Sequence, residues 1–132
     1  PNRLPEHAER AVACAMAMRE RLHELNRQWD ARGFSERWKA AGLPDLGARI
    51  GIHTGNVVAG NLGSSTRIKY AVIGDAVNVA ARVEALNKEL ATEILATADT
   101  LSRLPPELAA QGVDRGSHAV KGRAQSVAVT AF

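Results

Sequence analysis

The sequence predicts an α+β domain, and three observations carry that prediction. A stripe of apolar residues starting at Ala8 marks one long amphipathic helix running to about Gly33, and the middle of the chain breaks into short apolar runs punctuated by glycine. Between them, YAVIGDAVNVAAR passes from an apolar strand pattern into a helical one through Gly74 and Asp75. A chain of 132 residues with 45% hydrophobic content has room for one domain with a real core and not for two ordinary ones. Mixed helical and strand periodicity then implies helices packed on a sheet that is mostly antiparallel.

The elements follow in order. PNRLPEHAERA is a proline-rich lead into the first helix. Ala8, Ala11, Ala15, Met18, Leu22, Leu25 and Trp29 alternate steps of three and four and are its expected buried face. The same spacing suits a coiled coil, but small alanines favour close packing against a sheet. Cys14, among those alanines, reads as a small core residue. FSERWKAAGLPDLG is a connector with a short helical turn, ended by Pro44. ARIGIHTG and NVVAGNLG are two short β segments with Ile50, Ile52, Val57 and Val58 as buried candidates, and RIKYAVIG is a further strand. A helix runs from Asp75 to about Leu90 with Asp75 as its N-cap. EILAT is a short buried strand, ADTLSRLP a short helix stopped by Pro105 and Pro106, and GSHAVKG with SVAVTAF a final strand pair. Internal repeats and low-complexity tracts are absent.

Composition narrows the function. The net charge of +3 comes from 17 basic and 14 acidic residues with no basic block, and aromatics make up only 4%. Stacking platforms for nucleic acid are therefore scarce, and an anionic small ligand suits the chain better than a nucleic-acid partner does. A single cysteine makes no internal disulfide, which favours a reducing, cytoplasmic setting. No apolar run approaches the roughly 20 residues that span a bilayer, so no membrane contact is expected from this segment. The chain begins at Pro1 without methionine, as a piece of a longer protein would.

Familiar catalytic motifs fail on inspection. GNVVAGNL has glycines at P-loop spacing but lacks the lysine and hydroxyl that hold phosphate and metal. His7, His23, His53 and His118 lack metal-ligand spacing, and a lone His53 in a strand reads as a satisfied structural residue rather than a ligand. There is no Gly-x-Ser-x-Gly elbow, and Cys14 has no activating partner in sequence. What remains is a set of cations and one amide beside glycine-rich turns: Arg49, Asn78, Arg82, Lys121 and Arg123. Phosphoryl transfer calls for such groups, because positive charge must meet the charge that builds on phosphoryl oxygens.

Asn78 and Arg82 are four residues apart and share one helix face. Val79, Val83, Leu86 and Leu90 form an apolar stripe immediately beside them, while Ala81 and Ala85 on the other side leave space for a ligand. The pair therefore belongs at the rim of a core face.

These residues carry a resemblance. RIGIHTGNVVAGNLGSSTRIKYAVIGDAVNVAARVEALNK is similar to the second half of the catalytic domain of class III adenylate and guanylate cyclases. HAVKGRAQSVAVTAF resembles the family's C-terminal strand pair, and PEHAERAVACAMAMRERLHELNRQW its preceding helix in bacterial adenylate cyclases. The resemblance implies part of a ferredoxin-like cyclase fold, with residues 1–132 forming the C-terminal portion of one catalytic domain. It implies a reaction too: ATP to 3′,5′-cyclic AMP and pyrophosphate. Asn78 and Arg82 match the catalytic pair that stabilises the transition state as the ribose 3′-hydroxyl attacks the α-phosphate. Arg49 and Arg123 match phosphate-binding arginines, and Ala71 occupies the position that contacts the base.

Two departures stand beside the match. The residue after Tyr70 is usually aspartate, threonine or serine in adenylate cyclases, whereas Ala71 offers no side-chain hydrogen bond, which leaves guanylate cyclase as an alternative. The family also holds Mg2+ or Mn2+ on two aspartates from strands preceding the long first helix. Asp30, Asp45 and Asp75 lie in other contexts, so no metal ligand is assigned here and the ligands are expected in an upstream segment. The family further implies a head-to-tail homodimer, with metal aspartates from one subunit and the Asn/Arg pair from the other. The fragment alone would then be inactive. Against this enzyme stand two other classes: a degenerate cyclase-like domain that binds nucleotide or regulates a partner without turnover, and a purely structural interaction domain.

Overall fold

A computed structural model describes residues 4–64, 67–119 and 126–132. The long helix α1 spans His7–Ala31 and a short α2 spans Glu36–Ala40. Strand β1 (Ile50–Ile52) is followed by the hairpin of β2 (Val58–Ser64) and β3 (Arg67–Ile73), which leads directly into α3 (Asp75–Leu90). Then come β4 (Ile94–Thr97), the single turns α4 (Ala98–Leu101) and α5 (Pro106–Ala109), and the closing strands β5 (Val113–His118) and β6 (Val127–Ala131). The main sheet has the order β1-β4-β6-β5, with β1 parallel to β4 and the other pairs antiparallel. The hairpin β2–β3 forms a separate two-stranded antiparallel sheet. The predicted α+β class with a largely antiparallel sheet is what is found.

The core lies between α3 and this sheet. Val79, Val83 and Leu86 of α3 pack with Leu95, Val127, Val129 and Ala131, with Leu90 at the margin. The apolar stripe read beside Asn78 and Arg82 is thus the buried face of α3. All four residues of β4 are buried, as the run EILAT predicts. A glycine sets how closely α3 approaches. A Cβ added at Gly51 would stand 2.2 Å from the backbone N of Glu84 and 2.4 Å from the carbonyl O of Ala80. Helix backbone therefore rests directly on strand backbone there. Asn87, 1% exposed, fastens the same contact by donating from Nδ2 to the Ile50 carbonyl at 3.0 Å, while its Oδ1 accepts from Thr92 at 2.9 Å.

Several element-level expectations need correction. On α1 the buried residues are Ala8, Val12, Ala15 and Asn26, while Ala11 is exposed and Met18 is 56% exposed. The packed face is rotated from the predicted stripe because polar residues on it find partners: Asn26 Nδ2 donates to the Leu46 carbonyl at 2.7 Å, and Arg19 donates to the Phe132 carbonyl. Cys14 is exposed, on the side of α1 turned away from the sheet. Val57 and Val58 are 45% and 74% exposed because the hairpin stands off the main sheet. Gly74, not Asp75, is the N-cap of α3, and Asp75 is the first helical residue. Pro106 does not only stop a helix; it opens α5 at its first position, where a missing N–H costs nothing.

Gly51→Ala tests the backbone contact. The methyl meets main-chain atoms that cannot rotate away, so the substitution should cost at least the roughly 1–3 kcal/mol of an overpacked core. Urea unfolding should show a lower midpoint at unchanged slope, and an unchanged midpoint would mean that α3 does not rest on β1 in this way.

Candidate active site

The packing of α3 fixes where its polar residues point. With Val79 and Val83 fully buried, Asn78 is exposed and Arg82 half-buried at the edge of the core face. Stacked one turn apart, their side chains start about 5–6 Å from each other. Ala81 and Ala85 are exposed beside them, so no large side chain crowds the flank. Among the described residues neither Asn78 nor Arg82 has a hydrogen-bond or ion-pair partner. An amide that can donate and accept and a guanidinium with five donors therefore stand free on one open flank.

The turn before α3 is tightly seated. Gly74 has φ 157°, and a Cβ on it would lie 3.0 Å from the Asn56 carbonyl and 3.3 Å from the Val57 Cα. The hairpin is thus pinned to the loop after β1 at the point where α3 begins. Behind that turn lies a cleft of about 350 Å³ walled by the start of α1, the end of β1 and the inner side of α3 at Ala76, Val77 and Ala80. Asn78 and Arg82 are not among its walls; they face out on the other side of the helix.

The remaining predicted residues fall in different places. Arg49 precedes β1 and its Nε donates to Glu84 Oε1 at 2.9 Å, with side chains 47% and 39% exposed. Glu84 is two residues from Arg82, about 200° around the helix, so Arg49 and Arg82 occupy opposite flanks of α3. Ala71 sits in mid-β3, half-buried and paired with Gly60, and nothing lies within 4 Å of where a Gly60 Cβ would be. The Ala71–Gly60 pair is a patch of ribbon almost without side chains. Arg123 and Lys121 lie outside the described residues. Among the described residues no three His, Cys, Asp or Glu side chains are grouped to hold a metal ion. No described helix is long and apolar enough to cross a membrane.

Two residues that support the site escaped the sequence reading as supports. Asn87 had a visible signal, a polar residue four after Val83 on the apolar stripe. His53 had none beyond its place after Ile52, yet its ring Nδ1 lies 2.9 Å from Thr97 Oγ1.

Comparison with known proteins shows the family and the fold. An adenylate cyclase of Rhizobium meliloti is 43% identical over 91 residues, covering 69% of this chain and 12% of that protein. An adenylate cyclase of Anabaena cylindrica is 37% identical over 121 residues, covering 90% of this chain and 23% of its own length. The crystal structure of the adenylyl cyclase CyaB from P. aeruginosa superposes with a TM-score of 0.70 at 32% identity, over 96% of this chain and 59% of that one. A guanylyl cyclase of known structure superposes with a TM-score of 0.74 at 32% identity, over 99% of this chain and 60% of that one. This chain therefore spans a minor part of the curated relatives it matches. It belongs to the adenylate and guanylate cyclase catalytic domain family, whose pattern it matches over residues 1–130.

Proposed function

We propose that this chain supplies the Asn/Arg half of a nucleotidyl cyclase active site that converts ATP to 3′,5′-cyclic AMP and pyrophosphate. The observation that carries the reading is the free Asn78–Arg82 pair on the open flank of α3 in a chain of this family. As the ribose 3′-oxygen bonds to the α-phosphorus and the bond to the pyrophosphate oxygen breaks, negative charge builds on the α-phosphoryl oxygens. Arg82 can meet that charge without exchanging a proton, and Asn78 can hold the ribose in line for attack. The two curated relatives named above are adenylate cyclases, which favours ATP, although one of the structural neighbours is a guanylyl cyclase.

Metal ions would neutralise the leaving pyrophosphate, and Mg2+ or Mn2+ is the expected pair of alternatives. Among the described residues no three His, Cys, Asp or Glu side chains are grouped to hold a metal ion, and Asp30 and Asp45 are engaged with Lys39, so no step is assigned to a metal here. Its carboxylates belong, on this reading, to a segment preceding residue 1.

A head-to-tail homodimer accounts for two further features. The hairpin exposes apolar side chains on both faces: Val58 at 74% and Ile73 at 57% on one, Tyr70 at 65% and Ile68 at 64% on the other. An isolated two-stranded ribbon is marginal in water, and apolar surface of this extent marks a contact site. Arg49 and Arg82, on opposite flanks of α3, cannot converge on one triphosphate within one copy. In a head-to-tail pair they would serve two separate sites.

Three measurements test the reading. Arg82→Ala in an active dimer should lower kcat by about two to three orders of magnitude, the loss typical of one oriented donor, with little change in KM. An intact kcat would remove Arg82 from the mechanism. Ala71→Thr should raise the preference for ATP over GTP, since an apolar wall discriminates by only about 1–3 kcal/mol and a hydrogen-bonding one by more. Competition between the two nucleotides reads this directly, and an unchanged product ratio would show that Ala71 does not face the base. Finally, residues 1–132 alone should form no cyclic nucleotide with Mg2+ or Mn2+. Mixing them with a subunit that carries the metal carboxylates but has its own Asn/Arg pair mutated should restore product. Product from the purified chain alone would place the catalytic carboxylates within it.

A further inference from the structure

His53 follows β1, and its side chain is only 6% exposed. Its Nδ1 lies 2.9 Å from Thr97 Oγ1, at the end of β4, and 3.8 Å from Asp99 Oδ2, in α4. A second link runs beside it, with the Thr54 and Thr100 hydroxyl oxygens 3.1 Å apart. Thr97 and Thr100 are both fully buried. The segment after β1 is therefore tied to the rigid centre of the sheet.

The other edge of the ring faces the opposite way. A Cβ built on Gly55 would stand 3.2 Å from His53 Nε2 and 2.8 Å from the Ala76 Cβ. The imidazole edge and the Ala76 methyl thus both border the space beside the Gly55 Cα, too closely to admit a side chain there. Ala76 is the second residue of α3 and lies two before Asn78. The same segment also seats the turn before the helix, through Asn56 and Val57 against Gly74.

We propose that His53 is a positioning residue for Asn78: held by Thr97, its ring is the floor on which Gly55 and the first turn of α3 rest. His53, Gly55 and Ala76 together line one wall of the cleft of about 350 Å³ beside the helix start. Removing the ring would let Gly55 sink toward β4 and take Ala76 with it, moving Asn78 without touching Arg82 one turn further along. The consequence for catalysis rests on the cyclase reading above; the mechanical link does not.

NMR of the chain itself separates the two. In His53→Ala, the Ala76 methyl and the Asn78 side-chain amide resonances should shift, while the Leu95 methyls in the α3 core keep their positions. Thr97→Val, which removes the hydroxyl that meets Nδ1 at nearly constant volume, should shift the same two resonances in a fold left otherwise intact. If neither variant moves Ala76 and Asn78 more than Leu95, the inference is overturned. In the complemented dimer, His53→Ala should lower kcat by about tenfold, within the range for a misplaced group, at a KM changed less than about twofold. A fall confined to Tm, with kcat per folded enzyme unchanged, would overturn it equally. Arg82→Ala run alongside distinguishes the failures: if that variant keeps its kcat, the cyclase reading is wrong and the NMR comparison alone decides the role of His53.

Discussion

The missing side chain at Gly51 is the constraint on which the arrangement of α3 depends. With a hydrogen in that place, the backbone of the helix at Ala80 and Glu84 comes into direct contact with β1, closer than any side chain would permit. Asn87 then reaches the Ile50 carbonyl and fixes the helix along the strand as well as above it. Once height and register are set, the rotation of α3 follows from its apolar stripe, with Val79, Val83 and Leu86 turned into the sheet. Everything polar on the helix inherits its direction from that: Glu84 toward Arg49 on one flank, Asn78 and Arg82 toward open space on the other. The orientation of the candidate catalytic pair is a consequence of core packing and needs no contact of its own.

That dependence explains what the sequence made legible. The stripe on α3 was readable because its four apolar residues have no rival set at helical spacing, and a polar pair adjoining the stripe had to sit at its edge. β4 was readable from a short run with no polar residue until its end. α1 was less so. Ala8, Ala11, Ala15 and Met18 and the rotated set Ala8, Val12 and Ala15 both follow steps of three and four, and apolar character alone does not choose between them. The choice was made by Asn26 and Arg19, polar residues that turn inward because distant carbonyls at Leu46 and Phe132 accept from them. Such partners lie 20 and 113 residues away and leave no local trace.

The site shows the same division. Asn78 and Arg82 share one helix, so local geometry placed them correctly. Arg49 was grouped with them by residue type, and only the tertiary contact with Glu84 reveals that it stands across the helix. Val57 and Val58 looked like core residues because β-branched apolar runs usually are; they are exposed because, among the described strands, the hairpin pairs only with itself. His53 was read as a satisfied structural histidine, which its bond to Thr97 bears out, but the nearness of its ring and of Ala76 to Gly55 exists only in three dimensions.

The exposed hairpin and the exposed pair bear on one physical problem. A guanidinium in water is a weak tool for catalysis: at 4 Å from a unit charge it gains about 1 kcal/mol in bulk solvent and about 4 kcal/mol at the effective dielectric of a protein surface. Arg82 as it stands, half-buried on an open flank, is near the wetter limit. Stabilising a phosphoryl transition state requires that water leave and that the donor be held still while it does. β3 runs straight into α3 through Gly74, so a surface that covers the apolar ribbon on one side of that turn must come close to Asn78 and Arg82 on the other. On the proposed reading, burying Val58, Ile68, Tyr70 and Ile73 supplies the driving force and drying the flank of α3 is its chemical result. On that same reading a second copy supplies the covering surface, so that the exposed ribbon and the exposed Asn78–Arg82 flank of one chain are two parts of one interface.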